Sequence, residues 1–131
     1  MRNLLFVLIA AIVFFACKNN DTVKTGLTSI QWIDSIKNFG EASEGEKVNI
    51  THSFKNTGTE PLIIQEVKPA CGCTAPEYDK APILPGQTGQ ITSTFDTKNQ
   101  EEMVYKTVRV ITNTKPAQHI LIFEGTIKKA N

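Results

Sequence analysis

Between residues 48 and 54 the chain alternates strictly. Val48, Ile50, His52 and Phe54 fall on one side, and Asn49, Thr51 and Ser53 on the other. Successive side chains of an extended backbone point to opposite faces, so a period of two describes a half-buried strand. The same period returns in QITSTFD (residues 90–96), which places Ile91, Ser93 and Phe95 together, and in VYKTVRVIT (104–112). HILIFEGTIK (119–128) is apolar on both faces in its middle, which predicts a central strand. Turn residues separate these runs. NTGTEP (56–61) offers Gly58 for a positive φ, and Asn113 through Pro116 break the chain again. PLIIQEVK (61–68) reads as a strand with Pro61 at its first position, where a missing N–H is tolerated. SIQWIDSIKNFG (29–40) reads as a first strand, although Ile30, Ile33 and Ile36 also fit one helical face. Six or seven short strands without a convincing helix predict an all-β domain, a single immunoglobulin-like antiparallel β-sandwich of about seven strands. Phe54, Phe95 and Phe123 should face its core, with Thr51 and Thr94 on the opposite side. No cysteine lies in a predicted core strand, which excludes the inter-sheet disulfide of antibody domains. No repeat or second domain is visible.

The N-terminus is written differently. MRNLLFVLIAAIVFFAC has one arginine and then an unbroken apolar run from Leu4 to Ala16. As a helix that run spans about 20 Å, short of a hydrocarbon core of about 30 Å. A basic start, a short apolar core and a terminal small residue predict a signal peptide over residues 1–16. Val13-Phe14-Phe15-Ala16-Cys17 resembles the lipobox of bacterial lipoproteins, with phenylalanines where Leu and a small residue are usual. That resemblance implies cleavage before Cys17 and its acylation. Three acyl chains, at about 0.8 kcal/mol per buried CH₂, hold a protein firmly where one does not. Residues 17–27 are polar and without apolar periodicity, the composition of a flexible tether. Residues 28–131 then form the domain. The expected location is the cell envelope of a Gram-negative bacterium, facing the periplasm or the outside, with the bilayer as a partner through acylated Cys17.

Charge excludes a class of function. Removing residues 1–16 deletes one charged side chain, Arg2, which leaves 13 Lys plus Arg against 13 Asp plus Glu. A neutral chain without a basic cluster carries no electrostatic footprint for nucleic acid.

Chemistry concentrates at KPACGCTAPEY (68–78). With Cys17 acylated, only Cys71 and Cys73 remain to pair, and an exported protein meets an oxidising compartment. Residues two apart can reach the Cα separation a disulfide needs, and Gly72 accepts a sharp backbone between them. Such a bridge closes only three residues, for which chain entropy gives about 1.6 kcal/mol. It is a weak staple. The stretch reads as a strained, exposed disulfide or a pair exchanging with it, or else as two reduced, packed thiols of local structural use. Zinc would need four ligands where this loop brings two sulfurs, so Cu(I) is the better metal for Cys71 and Cys73. No other cofactor is implied.

FGEASEGEKV, SFKNTGTEPLII, VKPACGCTAPEY, PILPGQTGQI, FDT and VRVITN, in this order, resemble the bacterial domain-of-unknown-function family 1573 over residues 33–128. The most specific piece is Cys71-Gly72-Cys73-Thr74, followed by Pro76 and by Pro85-Gly86, with Tyr78 where the family often has tryptophan. The resemblance implies an immunoglobulin-like sandwich of the Hydin and major-sperm-protein type, often carried by exported lipoproteins, and no known activity.

An enzyme has little support. His52 shares its strand face with Val48, Ile50 and Phe54 and reads as a core histidine, while His119 opens the last strand near solvent. No nucleophile elbow, phosphate-cradling loop or dinucleotide fingerprint is present. Glu101 and Glu102 sit in an expected hairpin connection. The main functional reading is a module that binds or scaffolds another envelope protein. The alternatives are thiol–disulfide exchange and Cu(I) binding through the Cys-Gly-Cys loop.

Overall fold

A computed structural model of the protein describes residues 26–129. The expected signal peptide, Cys17 and the tether up to residue 25 lie outside the described residues. Within them the chain forms β1 (Ile30–Trp32), β2 (Ile36–Ser43), β3 (Lys47–Asn56), β4 (Ile64–Pro69), β5 (Thr74–Tyr78), β6 (Thr88–Asp96), β7 (Met103–Thr112) and β8 (Gln118–Lys128). Two four-stranded sheets, ordered β1-β3-β6-β5 and β2-β8-β7-β4, face each other as a sandwich.

The alternation sets the faces as expected. Phe54, Phe95 and Phe123 are fully buried, whereas Thr51 and Thr94 lie on the outer face of their sheet. Phe95 of one sheet meets Phe123 of the other at 5.2 Å between ring centroids, and Phe39 of β2 closes on both at 6.0 and 6.5 Å. Two glycines make room. A side chain at Gly89 would collide with the Phe54 ring, and one at Gly125 with the Phe39 ring. As expected for a strand apolar on both faces, β8 is central, between β2 and β7.

Three readings of the sequence change. The stretch expected as one first strand is two, placed in different sheets. After Trp32 the chain crosses the sandwich through Ile33–Asp34–Ser35, where the Asp34 carboxylate accepts the Ser53 N–H at 2.7 Å in place of a strand neighbour. The crossing brings β2 alongside β8 in parallel, so the sandwich is not purely antiparallel. Residues 97–102, which include Glu101 and Glu102, join β6 to β7 in the other sheet and are no hairpin. Pro61 precedes the strand, which begins at Ile64. Between them Leu62 makes an isolated bridge to Ile83.

Gly58 also has another purpose than the one expected. Its φ is not positive; the backbone of Thr28 and Ser29 passes so close that any side chain there would strike it. Two buried asparagines fasten this end. The Asn56 amide donates to the carbonyls of Glu60 and Ile83, while its oxygen accepts from Thr28 and Gly58. Asn113 donates to the Gly26 and Pro61 carbonyls and accepts from Ile63 N–H.

Truncating Phe54, Phe95 or Phe123 to alanine should cost about 3–5 kcal/mol, a large part of the roughly 5–15 that stabilises such a domain. Thr94→Ala and Thr51→Ala should be mild. Chemical denaturation of the variants checks this; equal costs on both faces would contradict the described register.

Candidate functional site

Residues 70–73 carry the chain from β4, the edge of one sheet, to β5, the edge of the other. Both ends of this link are held. Ala70 N–H donates to the Thr107 carbonyl at 3.0 Å, and the Cys73 carbonyl accepts Asp96 N–H at 2.9 Å. The sulfurs of Cys71 and Cys73 lie at disulfide distance, with Cα atoms 5.2 Å apart. Both cysteines are half-buried and Gly72 is exposed. Gly72 has neither a positive φ nor a neighbour that a side chain would meet, so this turn does not require glycine's conformational freedom.

The two sulfurs differ in their surroundings. Cys73 packs on the hydrophobic core; Cys71 does not. Buried Thr74 serves both, its Oγ1 standing 3.8 Å from the Cys71 sulfur and 3.9 Å from that of Cys73. Beside the loop an open groove of about 330 Å³ is lined by Lys68, Pro69, Ala70, Thr107 and Arg109, and Arg109 is ion-paired with Glu66 at 3.0 Å. Neither Thr74 as a partner of the sulfurs nor this groove was expected. The adjacency in Cys-Gly-Cys-Thr was the available signal for Thr74; Lys68 and Arg109 are brought together only by the β4–β7 ladder.

Joined as a disulfide, Cys71 and Cys73 offer no thiolate to Cu(I). Among the described residues no group of three or more His, Cys, Asp or Glu side chains could hold a metal ion. The histidines serve elsewhere. His52 is fully buried and its Nε2–H donates to the Ile122 carbonyl at 3.0 Å, a bond from one sheet to the other. Its Nδ1 and the Ser93 hydroxyl are buried without a hydrogen-bond partner among the described residues. Both belong to the inner face of the β3–β6 ladder, yet no hydrogen bond joins them and neither meets solvent. That is no nucleophile for an outside substrate. His119 lies at the start of β8 as expected, but half-buried. Its Nε2 lies 2.9 Å from Thr114 Oγ1, and its ring lies 5.8 Å from that of Trp32.

Over residues 30–127 the chain matches the family described as protein of unknown function, DUF1573. It belongs to that family. No protein of curated function matches it. Among solved structures it is similar to a protein of unknown function from Porphyromonas gingivalis W83, at a TM-score of 0.69 and 14% identity over 78% of this chain. This chain spans 48% of that one, about half its length. It is similar to an ASH or PapD-like domain of human CEP192, at a TM-score of 0.58 and 12% identity, covering 80% of this chain and 89% of that one. The Vibrio cholerae protease VesB matches at a TM-score of 0.57 and 12% identity, over 77% of this chain and 31% of its own. At these identities the likeness concerns the fold alone.

Two outcomes follow from the geometry. Burial pushes the His52 imidazole below its ordinary pKa, against the opposing pull of the Ile122 carbonyl and Asp34; burial lowers His119 as well. A folded pKa below the unfolded value of about 6.5 means that unfolding takes up protons, so stability is full above that pH and falls as pH drops below it. Asp34 adds nothing in this window. Burial acts to raise its carboxyl, but bonds to Lys37 and Ser53 outweigh it and hold it below the ordinary carboxylate value. Denaturant titrations from pH 7.5 to pH 5 should show the decline, and His52→Leu should flatten it while lowering stability at pH 7.5. The second outcome concerns the loop. Cys71→Ser combined with Cys73→Ser should leave the sandwich folded, as circular dichroism and the denaturation midpoint would show, because ladder bonds already hold both ends.

Proposed function

We propose that this chain is an exported, lipid-anchored module of the cell envelope that binds another protein through the outer face of the β2-β8-β7-β4 sheet. The observation that carries the reading is the composition of that face. Leu121 and Phe123 point into the core, so their neighbours Ile120 and Ile122 point outward, with Ile36 across from Ile122 and Tyr105 across from Glu124. Ile36, Tyr105 and Ile120 are 60, 63 and 45% exposed. Single exposed apolar side chains are ordinary, but a contiguous group on one sheet face marks an interaction surface. The group is flanked towards one end by Arg109, which is ion-paired with Glu66, and by Lys68 beyond it, and towards the other by Glu124. The fitting partner is a protein surface with an apolar centre, an acidic group to meet Lys68 and a basic group to meet Glu124. The similarity to a PapD-like domain is compatible with protein binding; the argument from fold is one of analogy.

Anchoring rests on the lipobox-like sequence ending at Cys17. Cys17→Ala should leave the precursor uncleaved or release the protein from membranes, with residues 28–128 still folded. An unchanged mass and membrane fraction would remove the lipoprotein reading.

Photo-crosslinking residues placed at Tyr105 and Ile120 in native membranes should capture one protein, and Ile36→Asp or Ile120→Asp should abolish capture. Both positions are exposed, so the domain's own stability should move by no more than about 0.5 kcal/mol. Adducts forming equally from the outer face of the other sheet, at Thr51 for example, would overturn the assignment. Adducts to a second copy alone would make the face a self-association surface and overturn the reading of a separate partner.

A further inference from the structure

We propose that Cys71–Cys73 is a thiol–disulfide exchange site, in which Cys71 is the sulfur attacked and Cys73 the one that leaves. Its substrates are the thiols of extended protein segments. This inference goes beyond the docking face described above; Lys68 borders both, but Cys71, Cys73 and Thr74 take no part in that face.

The bridge does little for the fold. It closes a loop too short to constrain the unfolded chain much, and the backbone on both sides is held without it, by Ala70 to Thr107 and by Cys73 to Asp96. What the surroundings supply is asymmetry and a hydrogen-bond donor. Exchange proceeds by attack of a thiolate along the S–S axis, and its rate rises as the departing sulfur becomes a better leaving group. Cys73 is fixed against the core, so Cys71 is the sulfur free to turn outward with an incoming group. The Thr74 hydroxyl, buried and 3.8 Å from the Cys71 sulfur and 3.9 Å from that of Cys73, can donate to the Cys73 thiolate as it forms and so lower its basicity, while the core packing of Cys73 is what distinguishes the two sulfurs.

The site has a surface beside it. β4 is an edge strand of its sheet, where an extended segment could be added. Over its ladder with β7 lies a groove lined by Lys68, Pro69, Ala70, Thr107 and Arg109, which ends one residue before Cys71 in the chain. An extended client is therefore the geometry that fits.

The steps balance without a further oxidant. A client thiolate attacks the Cys71 sulfur; the new bond joins client sulfur to Cys71, the Cys71–Cys73 bond breaks, and Cys73 leaves as a thiolate that takes up a proton. A second client thiol then attacks the client sulfur of the mixed disulfide and displaces Cys71. The client gains one disulfide, and the pair ends as two thiols, reduced by two electrons.

The test uses the full chain, purified without reductant, and a single-cysteine peptide that cannot resolve the mixed disulfide. After mixing, rapid alkylation and mass spectrometry locate both groups. The expected result is peptide on Cys71 and alkyl on Cys73, formed faster than the corresponding adduct with reduced glutathione. Thr74→Val should slow adduct formation about tenfold, the effect of one lost hydrogen bond to a charged group, and Thr74→Ser should restore it. A bridge that resists both thiols, peptide found on Cys73 as often as on Cys71, or a rate indifferent to Thr74→Val would each overturn the proposal. If Thr74→Val fails to fold, the mapping in the unsubstituted chain decides alone. Loss of protein capture by Ile120→Asp with exchange intact would separate this site from the docking face.

Discussion

The packing of aromatic rings between the sheets is the contact on which the remaining architecture depends. Phe95 and Phe123 meet from opposite sheets, Phe39 closes on both, and Phe54 packs on Trp32 at 5.2 Å. Aromatic pairs in tilted contact gain about 0.5–1.5 kcal/mol beyond the area they bury. The geometry around them is correspondingly tight: Gly89 and Gly125 lack side chains where the rings of Phe54 and Phe39 lie. Once these rings define the inner faces, the register of each strand follows, because a slip by one residue would turn Phe54 or Phe95 to solvent.

The interior also carries polar groups, and they lie where the two sheets must be joined. The bond from His52 to the Ile122 carbonyl spans the sheets, and Asp34 receives the Ser53 N–H where the chain crosses between them. Satisfying a buried carbonyl with a neutral histidine stabilises the closed sandwich at neutral pH. Acid sensitivity has a different origin: burial of the ring disfavours the charged imidazole, and the Ile122 carbonyl only partly offsets it.

Much of this was legible in the sequence, for a physical reason. Period two is local, so β3, β6, β7 and β8 could be read directly, and with them the core positions of Phe54, Phe95, Phe123 and His52. What was illegible depends on contacts between distant residues. Nothing near Asp34 says that its carboxylate will meet Ser53, so the change of sheet at residues 33–35, and the parallel pairing it causes, stayed hidden. Gly58 looked like a turn glycine, but its constraint comes from Thr28 and Ser29. At the candidate site the cysteine pair was visible from its spacing, whereas the groove beside it needs β4 and β7 side by side.

The two ends of the sandwich carry different tasks, and β3 measures the distance between them. At one end Asn56 and Asn113 hold Gly26 and Thr28, so the chain from the N-terminus joins the domain there. At the other, Thr74 pairs with Phe95, which pairs with Val48, and this places the Cys71–Cys73 loop level with the start of β3. From Val48 to Asn56 the strand advances about 26 Å at about 3.3 Å per residue. A domain held to a membrane through its N-terminus would therefore present the cysteine loop away from the point of attachment. The sheet face bearing Ile36 and Ile120 would run along the side between. Lys68 and Arg109 carry that face towards the cysteine loop, so the proposed docking face and the proposed exchange site would adjoin there, and substitutions that tell them apart must lie away from these two side chains.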